Sequence, residues 1–320
     1  MAEVLIDNGE LKAQTDAVTE NMVRTLGPLW VETYLCNKPA ILACQNKFPR
    51  KFWEPNAVLV LGAGPSIDML DLWKTIKTHH DRADYLIIAV DAAYIPCLKH
   101  GIIPDAVISL DISDVVVRML DAPQHDVTAI LSICSDRNLV RNWTSNKIFV
   151  LQETMRSVIS EEDTKILSGR VPMIYSLGNV GTTAAYIAEV IMRANHVGMA
   201  GVDFCCHKID GKYHAYMKHT VRSDANGESL FEPGVLPHKT EPKEIEINGL
   251  TVMSDKNFKL YANIFSRNLS EFTSALKKKS DITLLTPGLL DLLAGHARLN
   301  RQNFRDWTRK ISSKQRLVNP

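Results

Sequence analysis

Residues 57–66 read Ala57-Val58-Leu59-Val60-Leu61-Gly62-Ala63-Gly64-Pro65-Ser66. Five apolar residues without alternation have the pattern of a parallel strand covered on both faces. Two glycines, a proline and a serine follow at once. Glycines let the backbone turn sharply and approach a ligand, and a helix starting near Ser66 would point free N–H groups at a phosphate. Ser66 also suits a plain N-cap, and the turn suits one shaped by packing alone. The stretch is not the dinucleotide fingerprint, because its third glycine is missing and Pro65 stands where that turn would continue.

Short continuous apolar runs recur at 85–90, 106–110, 128–133, 148–151, 173–175 and 197–202. Helix patterns lie between several of them, at 67–78, 92–100 and 182–194. In the last, Ala184, Ile187, Ala188, Ile191 and Met192 follow the spacing of one helical face. Strand–helix alternation of this kind predicts a doubly wound, mainly parallel α/β sheet of Rossmann-like type.

The remaining chain divides around that core. Residues 1–56 read as a helical lead-in, interrupted at Gly27-Pro28, with a connection from Asn37 to Pro55. Residues 57–297 read as one Rossmann-like domain, the expected nucleotide-binding catalytic unit, and 207–250 as a long lid loop within it, being rich in Gly, Pro, His, Lys and Glu with little periodicity. An amphipathic helix resumes from Ser254, bearing Phe258, Tyr261, Ala262, Phe265, Leu269, Phe272 and Leu276 on one face. A strand at 282–285 and a helix after Pro287-Gly288 follow, then a basic C-terminal tail at 298–320.

Composition narrows the function classes. The 320 residues are 45% hydrophobic and 23% charged, with a formal charge of +1, so the balance advertises no nucleic-acid partner. Basic residues gather after Arg298, but only Phe304 and Trp307 accompany them as aromatics. No stretch approaches the roughly 18 apolar residues of a membrane span. The early acids at the N-terminus do not read as a secretory signal, and the expected compartment is the cytoplasm. The six cysteines contain no CxxC pair, and neither HxxxH nor HExxH occurs, so no zinc site is expected.

Several strand ends carry groups suited to chemistry. Asp91 and Asp111 each follow an apolar run, at the carboxyl ends of strands, where open α/β sheets bind ligands. Two carboxylates there could hold Mg²⁺ beside phosphates or accept hydrogen bonds from a nucleoside; each could equally cap a helix. Gly178, Asn179, Gly181 and Thr182 repeat the strand–glycine–helix logic of an anion cradle. Asp203 ends a further strand and reads as a hydrogen-bond anchor or a ligand contact. Beyond it, His207, Lys208, Tyr213, His214 and His219 crowd one segment, which is where a general base and phosphate-holding groups would sit.

These motifs in this order resemble a known superfamily. Gly62–Ser66, Gly101-Ile-Ile-Pro104-Asp105 leading to Ser109-Leu-Asp111, and Gly201-Val-Asp-Phe204 recur together in the motility-associated flagellin glycosyltransferases and in the archaeal 6-hydroxymethylpterin diphosphokinases. The former resemble bacterial CMP-sialic-acid sialyltransferases in their central domain. On the glycosyltransferase side, the resemblance implies that Gly62, Ala63, Gly64, Pro65 and Ser66, with Gly181 and Thr182, wrap a nucleotide-sugar donor. It further implies that Tyr213 holds the phosphate and that a loop histidine, His214 before His219, deprotonates the acceptor hydroxyl. On the diphosphokinase side it implies ATP as substrate, with Asp91 and Asp111 as Mg²⁺ ligands. The chain departs from the sialyltransferases at Ala63, Asp91, Asp111 and Cys205, and from the diphosphokinases where Asp-Leu-Asp-Gly becomes Ser-Leu-Asp-Ile.

Overall fold

The computed structural model describes residues 5–124, 126–176, 178–220, 243–274, 281–293 and 299–318. In chain order its strands are β1 (Ala57–Leu61), β2 (Leu86–Val90), β3 (Ala106–Ser109), β4 (Thr128–Ser132), β5 (Lys147–Gln152), β6 (Met173–Ile174), β7 (His196–Ala200), β8 (Cys206–Ile209), β9 (Lys212–His214), β10 (Lys243–Ile247), β11 (Leu250–Ser254), β12 (Asp281–Leu284) and β13 (Leu299–Arg301). Its α-helices are α1 (Asn8–Ala43), α2 (Ser66–Met69), α3 (Trp73–Asp81), α4 (Asp91–Lys99), α5 (Val115–Met119), α6 (Arg137–Asn142), α7 (Glu161–Leu167), α8 (Val180–Tyr186), α9 (Lys256–Ser274) and α10 (Phe304–Val318).

Nine strands make one sheet in the order β13-β12-β7-β1-β2-β3-β4-β5-β6. Every pairing in it is parallel. This is the expected doubly wound α/β fold. The continuous apolar runs have a simple cause, since alternate residues enter two different cores. In β4 and β5, Ile130, Ile148 and Val150 join one core, whereas Ala129, Leu131, Phe149 and Leu151 join the other. The sheet grows outward from β1 in both directions, with β2 on one flank and β7 on the other. That junction is the topological switch point, where such sheets open a crevice at the strands' carboxyl ends.

The lead-in differs from its expectation. One helix, α1, runs through Pro28 and Pro39 without a break. Each proline removes a backbone hydrogen bond, and tertiary burial offsets the loss. Trp30, Tyr34 and Ile41 enter the second core, and the buried Asn37 amide donates to the Ile133 and Ser135 carbonyls at 3.2 and 2.8 Å. At its other end, Leu11 packs on Leu260 and Ile264 of α9. The predicted helix at 67–78 is two helices, divided at Asp71, whose φ is +47°. The helix predicted at 182–194 is α8 continued by a π-helical turn, Ile187–Ile191.

Two further expectations change. The described part of 207–250 is not an irregular loop but most of a second, antiparallel sheet, ordered β10-β11-β8-β9. Its hairpins turn at Asp210-Gly211 and Asn248-Gly249, where all four residues have positive φ. Asp-Gly and Asn-Gly suit such tight turns, because their twist matches that of the flanking strands. Nor does the C-terminal segment hang free as a tail. β13 extends the large sheet, and Phe304, Trp307 and Ile311 of α10 are buried in its core.

Candidate functional site

At the carboxyl ends of β1, β2 and β7 lies a cleft of about 220 Å³. Two of its walls are glycine turns: Gly62, Ala63 and Gly64 after β1, and Asn179, Val180 and Gly181 at the start of α8. Tyr216, Phe258 and Tyr261 supply aromatic surface, and Asp91 and Asp203 carboxylates.

The first turn is held from a distance. Asp203, buried just past β7, accepts from the Ser66 backbone N–H at 3.0 Å and from the Ser66 hydroxyl at 2.6 Å. Thr286 donates to the same carboxylate at 3.3 Å and accepts from the Gly201 N–H at 2.9 Å. The Asp203 carbonyl accepts from Leu289 N–H at 2.7 Å. One aspartate thus joins the turn after β1, the turn after β7 and the turn after β12. Ser66 is therefore not the side-chain N-cap of α2; its hydroxyl belongs to Asp203.

The glycines here serve that junction. A Cβ on Gly62 would stand 2.2 Å from the Gly201 carbonyl oxygen, and one on Gly64 would stand 2.4 Å from Asp203 Oδ2. The close approach that these glycines permit is thus to the protein's own main chain and to Asp203. Gly64 N–H donates to the Gly201 carbonyl at 2.7 Å. Gly201 itself has a φ of +70°, the left-handed region that favours glycine.

His207 completes the knot. Its buried Nε2 lies 3.1 Å from the Pro287 carbonyl, 3.4 Å from Asp203 Oδ2 and 3.7 Å from Cys205 Sγ. Burial pulls the imidazole pKa down, but the Asp203 hydrogen bond and charge, with the Pro287 carbonyl, leave it raised overall. Cys205 lines the cleft, but burial and the neighbouring Asp203 charge hold its thiol well above the ordinary range, which makes it a poor nucleophile.

The second turn is held locally. Asn179 caps α8, accepting from Thr182 N–H at 2.9 Å, while the Thr182 hydroxyl answers the Asn179 backbone in a capping box. Gly178, with a φ of +96°, passes close to Tyr261, where a Cβ would stand 3.0 Å from backbone atoms.

The anticipated residues fall into three groups. Gly62, Ala63, Gly64, Asp91, Asn179 and Gly181 line the cleft. Asp91 is fastened there, with Ala92 N–H donating to it at 2.8 Å and the Ser109 hydroxyl at 3.0 Å. Pro65, Ser66, Gly178 and Thr182 stand behind the lining, in the turns that shape it. Asp111, Tyr213, His214 and His219 are not part of the lining. Asp111 is exposed and accepts from Ser113 N–H. Tyr213 donates to Glu244 at 2.6 Å, which pushes its phenol up to about 12. His214 pairs with His207 across the β8–β9 hairpin, and the His219 ring lies edge-on to His100, 5.9 Å between centroids.

Ala215 and Tyr216, directly after His214, do reach the cleft. The strap continues over the first turn, with Met217 N–H donating to the Ala63 carbonyl at 2.8 Å and Lys218 N–H to Asp68 at 2.6 Å. Tyr216, and not the expected Tyr213, is the tyrosine of this segment at the cleft. Phe258 and Tyr261 were legible only as the apolar face of α9.

The chain resembles known proteins. The profile of the family described as 6-hydroxymethylpterin diphosphokinase MptE-like matches residues 32–208, more than half of the chain. The chain belongs to the MptE-like family. Among solved structures, the MAf glycosyltransferase from Magnetospirillum magneticum AMB-1 is similar to this MptE-like chain at a TM-score of 0.56 and 16% identity. The likeness covers 89% of this chain and 42% of that one, so the MptE-like chain spans less than half the neighbour's length. At that identity the likeness is one of fold. No curated protein sequence matches. Among the described residues, no helix of the MptE-like chain is long and apolar enough to cross a membrane.

Proposed function

We propose that this chain transfers a sugar from a nucleotide-activated donor to an acceptor hydroxyl. One observation carries the reading. The cleft at the switch point is lined by two glycine turns, an aromatic side and two carboxylates, Asp91 and the internally bonded Asp203. The start of α8 suits a phosphate, aromatic rings suit a base or sugar face, and the Asp91 carboxylate suits a hydroxyl. The glycosyltransferase fold of the structural neighbour supports the same class.

In the proposed reaction the acceptor oxygen attacks the anomeric carbon while the bond from that carbon to the donor phosphate breaks. The phosphate leaves with the bonding pair, and Asp91 takes the acceptor's proton. His214 is the other candidate base, one residue before the strap that lines the cleft. Asp91→Asn is expected to cut turnover by roughly 10²–10⁴-fold while donor affinity barely changes. If His214→Ala shows that loss instead, the proton goes to the histidine.

The family description favours a second reading, diphosphoryl transfer, for which the sequence resemblance implies ATP and Mg²⁺. Asp91 and Asp111, the pair that would hold the metal, do not both face the cleft, and among the described residues no three His, Cys, Asp or Glu side chains are grouped as for a metal. Asp91 and Asp111 therefore do not make a shared two-carboxylate site at the cleft. Thermal-shift measurement with CMP-, UDP- and GDP-sugars and with ATP, each with and without Mg²⁺, separates the readings. A donor at 100 times its Kd stabilises by about 2.7 kcal/mol. Metal-independent stabilisation by one nucleotide-sugar is expected; stabilisation by ATP with Mg²⁺ alone would replace this reading with the second.

A further inference from the structure

The molecule has a second cavity, of about 520 Å³, at the outer edge of the large sheet beside β5 and β6. It lies four to five strands from β1, roughly 20 Å at ordinary strand spacing, so it is separate from the cleft at the switch point. Its volume falls within the range of small-molecule sites.

Its lining is rich in donors. Arg156, in the turn after β5, and Arg170, in the turn after α7, line it, and both residues are exposed. Among the described residues Arg170 makes no side-chain hydrogen bond or ion pair, and Arg156 only a 4.0 Å contact from Nη1 to Met173 Sδ. Asn46 also lines the cavity and is only 9% exposed. Its Oδ1 accepts from Phe149 N–H at 2.8 Å, and among the described residues its Nδ2 has no acceptor. Ser168 adds a hydroxyl, while Leu167 and Met173 give the cavity an apolar side. No carboxylate is among the described lining residues.

Unpaired guanidinium groups, an unpaired amide donor and an apolar wall together select a small anion with an apolar body. Two separate guanidinium forks match a group of nearly two negative charges, and their planar geometry suits phosphate oxygens. We propose that this cavity is a second ligand site, which binds a small phosphate monoester through Arg156, Arg170 and Asn46. The site requires nothing of the cleft, so it stands whichever donor the cleft takes.

Met173 gives a local readout. In protein carrying ¹³C-labelled methionine methyls, the Met173 signal is assigned by Met173→Leu and followed during titration with phenyl phosphate. A saturable shift is expected, with benzyl alcohol, the neutral control, giving none. The double variant Arg156→Ala/Arg170→Ala is expected to raise the half-saturating concentration at least tenfold. The double lysine variant, which keeps charge but loses the fork, should raise it several-fold. No saturable shift, an equal shift with benzyl alcohol, or unchanged saturation in the double alanine variant would overturn the proposal. Lower thermal stability of the arginine variants without a change in saturation would likewise overturn it, showing that the arginines only cover the carboxyl end of α7.

Discussion

Two glycine turns border the same cleft and are secured in opposite ways. The turn at Gly178–Thr182 closes on itself, with donor and acceptor of its capping box three residues apart. The turn at Gly62–Ser66 is closed by Asp203, 137 residues further along the chain. Local closure survives changes elsewhere in the fold. Remote closure makes the first turn depend on β7, on the segment after β12 and on His207 at once.

The widest break in this comparison is expected from Asp203→Ala. It strips the Ser66 hydroxyl, the Ser66 N–H, Thr286 and His207 of a shared buried partner, and removing one member of such a buried network costs about 3–5 kcal/mol. Urea unfolding measures it, and a loss below about 1 kcal/mol would show that the turn closes without Asp203. Gly64→Val belongs with it, because the new side chain meets the Asp203 carboxylate; the variant should lose stability along with any ligand binding.

Asn179→Ala tests the local turn and should cost about 1 kcal/mol, the usual value of a lost N-cap. If this loss equalled that of Asp203→Ala, the contrast between the turns would collapse.

The remote turn should also be sensitive to pH. Because the folded protein raises the His207 pKa, protonation is favoured by folding. That contribution is complete below the ordinary histidine value of about 6.5 and is lost as pH rises through the raised folded value. The urea midpoint of the wild type should therefore fall over that window more than the midpoint of Asp203→Asn. Parallel pH profiles would remove His207 from the knot.

The smallest effect is expected at Tyr213→Phe. Its hydrogen bond to Glu244 is exposed, and exposed substitutions of this kind stay within about 0.5 kcal/mol by urea unfolding.

Much of this arrangement was legible in the chain itself. The run Ala57–Leu61 is the strand β1 with its ends unchanged, because a strand buried on both faces needs uninterrupted apolar residues. Asn179 and Thr182 stand at the spacing of a capping box, which needs only neighbours. Asp210-Gly211 and Asn248-Gly249 carried a readable hairpin signal that the polar composition of 207–250 obscured. The passage of α1 through Pro28 and Pro39 was not legible, since the burial that offsets the prolines comes from strands and helices far along the chain.

By itself, then, the sequence determined the strand runs, the parallel α/β class, the two glycine turns and the family to which their order belongs. Those features rest on periodicity, backbone freedom and capping, all interactions between near neighbours. Only the tertiary structure decided that Asp203 holds Ser66, that Tyr216 rather than Tyr213 reaches the cleft, and that Asp91 lines it while Asp111 does not. Each of these depends on which strand ends meet and which way a side chain leaves its strand, and contacts more than a hundred residues apart leave no mark on local spacing.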